Sequence, residues 1–177
     1  HVTKRAGACA HVEVSPARSA RRVLDAEERA RYLGADARVT SDDSTLIRAA
    51  KGAAGDPNAP DLGALVAWAH RRVRYALDFN PLNASQVLAE GRGDCSEGAL
   101  LLVALARALG LPAREVGGLV LAASEPVGFG YHAWAEIHTG GRWVPVDPTW
   151  NEVPVNPTHL RIGDDDPYAV LAAFGRI

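Results

Sequence analysis

Methionine is absent from this chain, lysine occurs only at Lys4 and Lys51, and cysteine only at Cys9 and Cys95. Two cysteines are too few for a disulfide-stapled scaffold, and neither sits in a pair with metal-site spacing. A Cys9–Cys95 bridge remains open, but it would consume the thiol in the most suggestive stretch of the chain. No apolar run reaches the ~20 residues that a membrane-spanning helix needs, so no membrane segment is expected. A formal net charge of −2 supplies no field that would draw nucleic acid or anionic lipid. Repeats and low-complexity segments are missing too. The chain begins at His1 with no initiating methionine, which reads as part of a longer protein, any leader or anchor lying outside it.

What is present is an ordinary apolar fraction of 47% and a charged fraction of 23% over 177 residues. That suits one domain with a sizeable core. Val12-Glu13-Val14 reads as a short strand before Pro16. Val23, Leu24, Ala30 and Leu33 predict an exposed amphipathic helix from Ala17 to Leu33, ended near Gly34. Residues 1–40 are read as an N-terminal extension and helix, packed on or preceding a core of 41–177. Ser41-Asp42-Asp43-Ser44 starts a helix running to Gly52. Asp61 caps another, with Leu62, Leu65, Val66, Ala69, Val73 and Leu77 at helical spacing and Arg71, Arg72 and Arg74 on a solvated face. Ser85 caps a short helix through Leu88. Two glycines, Gly91 and Gly93, then lead into Asp94-Cys95-Ser96-Glu97 and an almost wholly apolar helix ended by Gly110 and Pro112.

After Pro112 the pattern is that of strands. Arg114–Ala122 forms one, with a kink at Gly117-Gly118. Tyr131–Thr139 and Arg142–Val146 form a hairpin through Gly140-Gly141, and His159–Ile162 forms a last strand. Helices followed by an antiparallel sheet make an α+β domain, with Cys95 at the start of a buried helix packed on that sheet.

A lone cysteine is most often a small buried hydrophobe. At a helix start, however, unpaired N–H groups and the helix dipole make a thiol easier to ionise. A nucleophile needs a base and a group to orient that base. His132, His138 and His159 are candidate bases; Asp147 and Glu136 are candidate orienters. Hairpin register discriminates among them. The Gly140-Gly141 loop pairs Thr139 with Arg142, which sets Trp134 opposite Asp147 and His132 opposite Thr149. His132 and Asp147 then share a face as diagonal neighbours, roughly 7–8 Å apart at Cα. His138 shares the face but sits beside the turn, and Glu136 reads as a salt-bridge or solvent residue. The Cys95 backbone N–H is a natural oxyanion donor, with Gln86 or Asn83 as candidates for a second. Trp134, Trp143 and Trp150 read as sheet-packing aromatics, Trp134 also as a wall of the substrate groove.

Three blocks carry a resemblance to the transglutaminase-like superfamily of papain-like thiol enzymes. They are Gly93-Asp94-Cys95-Ser96-Glu97 opening an apolar helix, Tyr131-His132-Ala133-Trp134-Ala135-Glu136 on a strand, and Trp143-Val144-Pro145-Val146-Asp147-Pro148-Thr149 leaving the next. The resemblance implies a papain-like core with Cys95 as nucleophile, His132 as base and Asp147 as orienter, no cofactor and no metal. It implies acyl transfer at a peptide or glutamine amide of a protein or peptide substrate. Hydrolysis, as in a cysteine peptidase or amidase, is favoured over a transglutaminase; a binding module that kept the fold is the non-catalytic alternative. Many bacterial members act outside the cytoplasm, so the resemblance points there. Gly98 departs from bacterial relatives, which often carry a larger residue, and affects site shape. Asp164-Asp165-Asp166 is not read as a metal site.

Overall fold

Helices among the described residues each begin on a side chain that can accept a hydrogen bond from the free N–H groups of a first turn. The computed structural model describes residues 2–4, 10–12, 20–56, 59–77, 83–122 and 128–162. Asp25 caps α1 (Ala26–Leu33), Asp43 caps α2 (Ser44–Ala53), and Asp61 caps α3 (Leu62–Arg72). Asn83 caps α4 (Ala84–Glu90) and Asp94 caps α5 (Cys95–Ala108). Glu28 and Glu97 complete capping boxes at α1 and α5 by accepting the cap residue's own N–H.

Among the boundaries that differ from the sequence expectation, three have a cause in named side chains or strand pairing. The first helix starts at Ala26 because the Asp25–Glu28 box fixes it there; residues 20–25 are not helical. The third ends at Arg72, although Leu77 fits the helical period. Arg74–Tyr75 (β3) instead pairs in parallel with Arg92–Gly93 (β4), and Leu77 is exposed. The fourth is capped by Asn83 because the Ser85 hydroxyl is engaged elsewhere: it donates to Asp43 Oδ2 at 3.0 Å and lies 2.9 Å from Thr40 Oγ1. The arginine run also divides. Arg71 and Arg74 are exposed, whereas Arg72 donates to the carbonyls of Leu88 and Ala89 and so closes the C-terminal end of α4.

Residues 2–4 and 10–12 form an antiparallel pair, β1 and β2; Glu13, Val14 and Pro16 lie outside the described residues, as do Cys9 and Asp164–Asp166. The main sheet has the order β7-β6-β5-β8, all antiparallel. Its strands are β5 (Ala113–Ala122), β6 (Gly128–Thr139), β7 (Arg142–Val146) and β8 (His159–Arg161). The Gly140-Gly141 turn gives the expected register: Thr139 faces Arg142, and Ala135 faces Val146. β5 runs through Gly117-Gly118 unbroken, and the reason for Gly118 is close approach. A Cβ there would lie 2.2 Å from the Leu160 carbonyl oxygen and 2.5 Å from the Trp134 ring.

Alternation along β6 sends Ala135 and Ile137 to one face and Trp134, Glu136 and His138 to the other. On the first face α5 packs, with Leu100–Ala106 buried without interruption. Each of its leucines contributes about 1.5–3 kcal/mol of burial. α2, α3 and α4 cover the rest of α5 through Leu46, Leu65, Val66 and Val87. On the second face Arg114 pairs with Glu136 at 2.7 Å and lies 4.2 Å over the Trp143 ring. Tyr32 of α1 packs edge-on against Trp143 at 5.0 Å. The segment before α1 is tied to the hairpin: the Arg22 N–H donates to Gly141 O, and His138 Nε2 donates to Arg22 O, both at 2.8 Å.

Gly118→Ala should lower unfolding free energy by about 1–3 kcal/mol through overpacking. Gly130→Ala, whose added Cβ meets nothing within 4 Å, should stay within about 0.5 kcal/mol of the parent. Urea denaturation of both variants measures the difference, and equal midpoints would remove the steric explanation.

Candidate active site

Where β7 stops decides how the site is assembled. Pairing with β6 runs only to Ala135 and Val146, so Ala133, two residues further on the same side of β6, has no β7 partner for its N–H. That amide reaches the Cys95 thiol. The helix therefore does not present its first residue to the face that carries His132. Its body packs against the opposite face, and Cys95 arrives at the strand edge that β7 leaves open.

Beyond Val146 the chain makes a tight reversal. Asp147 and Glu152 exchange backbone hydrogen bonds at 3.0 and 2.9 Å, and Asn151 adopts a left-handed φ of 57° within it. His70 of α3 donates from Nδ1 to the Pro148 carbonyl at 2.9 Å, which pins the reversal to the helical layer.

The Asp147 side chain is fully buried. Its Oδ2 lies 2.9 Å from His132 Nε2 and 3.3 Å from His159 Nε2, and its Oδ1 accepts the Thr149 N–H at 2.7 Å. An ionised carboxylate only accepts, so His132 carries its proton on Nε2 and its Nδ1 is left as the basic nitrogen. Burial by itself would raise the Asp147 carboxyl. The hydrogen bonds from His132 and His159, the charge of His132 and the Thr149 N–H together outweigh it and hold the group well below the usual carboxylate range.

The thiol is displaced the other way. Burial pushes Cys95 above the ordinary cysteine value, and the charges of Asp94 and Asp147 act in the same direction. The Ala133 N–H and the Ser96 side chain lower it without cancelling burial. This reverses the expectation drawn from the helix start, because desolvation enters only when the fold closes over the residue. Cys95 is a free thiol, half-buried.

Other residues singled out by the sequence fall as follows. Asn83 Oδ1 accepts the Gln86 backbone N–H at 3.0 Å, so its carbonyl oxygen serves the α4 cap; the Gln86 residue is exposed. Glu136 is the buried partner of Arg114 and of Arg161. His138 binds Arg22 O. Trp134 is only 2% exposed and packs edge-on to His159 at 5.2 Å, so it forms floor more than wall. Trp150 takes the wall position: it is 46% exposed and stacks on the His132 ring at 4.4 Å. Gly98 faces Pro148 and Thr149, and a Cβ added there would sit 3.5 Å from Pro148 Cγ. Among the described residues, His132, Asp147 and His159 each bring one ligand-type atom within 4.8 Å of the others, a grouping that could hold a metal ion.

Asp147→Asn should lose about 1–3 kcal/mol, because an amide cannot accept from both imidazoles without presenting its own N–H to a donor. The carboxyl's depressed value stabilises the fold fully above the unfolded carboxyl value of about 3.9, and this stabilisation is lost as pH falls below it. The gap between parent and variant in urea unfolding should therefore narrow as pH falls below about 4. A gap independent of pH would contradict the arrangement.

Comparison with known proteins agrees with this architecture. Residues 45–148, more than half of the chain, match the pattern of the transglutaminase-like superfamily. A solved structure from Cytophaga hutchinsonii, named as a proposed cysteine protease, is similar with a TM-score of 0.63 and 27% identity over 81% of this chain and 50% of that one. The periplasmic domain of TgpA from Pseudomonas aeruginosa shares the fold, with a TM-score of 0.54 and 22% identity over 72% of this chain and 49% of its own. An uncharacterised protein of Mycobacterium leprae is 29% identical over 112 residues, 59% of this chain and 39% of its own length. The chain thus spans half or less of the relatives it matches. Its mixed helical and antiparallel architecture is the papain-like core, and the chain belongs to the transglutaminase-like superfamily, whose members often use cysteine-based catalysis.

Proposed function

We propose that the protein is a thiol enzyme that transfers an acyl group from a peptide or glutamine amide, with Cys95 as nucleophile, His132 as base and acid, and Asp147 as the orienting carboxylate. The observation that carries this reading is the buried 2.9 Å contact of His132 Nε2 with Asp147, on the strand whose neighbouring Ala133 N–H lowers the Cys95 thiol. Superfamily membership supports it.

The chemistry follows from the two displaced groups. A thiol raised by burial rests protonated, so it needs a base within the same event as attack. As Cys95 Sγ bonds to the amide carbon, His132 Nδ1 takes the thiol proton, and Asp147 stabilises the imidazolium through Nε2–H. The backbone N–H of Cys95, at the first position of α5, is aimed where helix starts bind anions and serves the developing oxyanion. His132 then protonates the nitrogen of the departing amine as the C–N bond breaks, leaving a thioester on Cys95. Water attacks that thioester, giving its proton to His132. The C–S bond breaks, and the thiolate regains the proton. An amine in place of water gives a new amide by the same steps. Hydrolysis is the favoured outcome, with a protein or peptide as substrate. Residues 41–177 are proposed as the catalytic unit, and the segment bearing Leu24 and Tyr32 packs on it through Trp143.

At pH 7 iodoacetamide should alkylate Cys95 in the parent at least tenfold faster than in His132→Ala. In the variant the rate should climb only above the free-cysteine value of about 8.5, since the thiol is raised and has lost its base. Superimposable pH profiles of an ordinary thiol in both proteins would sink the catalytic reading. Mass spectrometry of a glutamine-containing peptide, with and without added primary amine, should show deamidated or cleaved product in both samples. Product found only as the amine adduct would make the protein a transglutaminase instead.

A further inference from the structure

The second imidazole on Asp147 has no part in the triad chemistry above. His159 lies on β8, eleven residues beyond the segment that matches the family. Its side chain is 1% exposed. Its Nε2 meets the same oxygen of Asp147 that His132 uses, at 3.3 Å. At the far end of the ring Nδ1 lies 3.3 Å from the Asn156 carbonyl and 4.0 Å from a Glu152 carboxylate oxygen, so both ring nitrogens face acceptors and donate to both only when each carries a proton. Trp134 and Trp150 flank it edge-on at 5.2 and 5.4 Å, and the two imidazole rings stand 5.5 Å apart. β8 brings it there by pairing Val120 with His159 in the same sheet that carries His132 opposite Gly118.

We infer that His159 is a positioning residue: its Nε2–H, donated to Asp147 Oδ2, fixes the plane of the carboxylate and thereby the tautomer and aim of His132. This rests on the triad reading. The geometric argument concerns how a carboxylate can be held. Thr149 N–H fixes Oδ1 alone, and His132 on Oδ2 is the group to be aimed, so it cannot serve as the reference. The single hydrogen bond from Thr149 restrains the Cβ–Cγ torsion without locking it, and without a third donor the carboxylate can rock about that bond and carry His132 with it. A donor on the remaining lone pair of Oδ2, itself anchored by the sheet and by Asn156, removes that freedom. Loss of one hydrogen bond to a charged group corresponds to a roughly tenfold to hundredfold change in the population of the aligned state.

The test compares iodoacetamide alkylation of Cys95 at pH 7 in the parent, His132→Ala, His159→Phe and His159→Gln. Phenylalanine keeps the ring and loses the donor; glutamine can place an N–H near the former Nε2. His159→Phe should slow alkylation about tenfold or more, and His159→Gln should recover to within roughly threefold of the parent. Equal rates in parent and His159→Phe, with His132→Ala slow, would overturn this inference and leave the triad standing. A parent no faster than His132→Ala would overturn both. A folded His159→Gln as slow as His159→Phe would also overturn it, since ring shape alone would then matter. Should the phenylalanine variant not fold, long-range ¹H–¹⁵N correlation spectra of the parent decide. Both histidines are expected to carry a proton on Nε2, and a His159 Nε2 without one refutes the donor role.

Discussion

Water is excluded from the Asp147 carboxylate, and its charge must be met by the protein alone. The donors that meet it come from separate parts of the chain: His132 from β6, His159 from β8, and Thr149 from the reversal in which Asp147 itself sits. Satisfying one buried charge therefore ties the sheet's central strand, its edge strand and the exit from β7 into one arrangement. The order β7-β6-β5-β8 puts β8 at the edge opposite β7, and His159 and Asp147 nonetheless meet because the chain leaving β7 turns back over the face that carries His132. A carboxylate with fewer donors would be both less stable and less well aimed, so stability and chemistry are coupled at this residue.

The second constraint is the length of β7. Five residues are enough to set the register of the hairpin and too few to cover Ala133. The open strand edge gives α5 a place for its first residue while its apolar body lies on the other face of the sheet. The helix is thus inserted at one end and buried along its length. The two roles need different sequences, a capping box of Asp94 and Glu97 and then an uninterrupted apolar run.

Much of this was legible because local rules govern it. Aspartate caps at 43, 61 and 94 and the glycine pair at 140–141 act within a few residues, and the glycine pair sets the register as far as Ala135 and Val146; the expected pairing of Trp134 with Asp147 does not form, and Asp147 meets His132 from the reversal beyond β7. The rest depended on distant partners. Leu77 matched the period of α3, but pairing of Arg74 and Tyr75 with Arg92 and Gly93 ended the helix. Ser85 looked like a cap and was claimed by Asp43, forty-two positions away. Arg72 was read as solvated and proved to close α4. Trp150 could not be told from Trp134 by residue type, since only the reversal after Val146 turns one outward. The direction of the thiol's displacement needed burial, which a helix-start argument does not contain. His159 was visible as a histidine on a short strand, but its partner became evident only once β8 was placed against β5.

The tie between Arg22 and the hairpin closes a far longer loop than the site does. His132 and Asp147 are 15 positions apart, whereas His138 and the Arg22 carbonyl are separated by 116. Closing the longer loop costs roughly 2 kcal/mol more chain entropy, and that cost falls before the contact repays it. On chain entropy alone, the imidazole–carboxylate pair is favoured to form with the hairpin before the N-terminal strap docks. A contact made in that order governs how fast a folded chain opens more than how fast it forms.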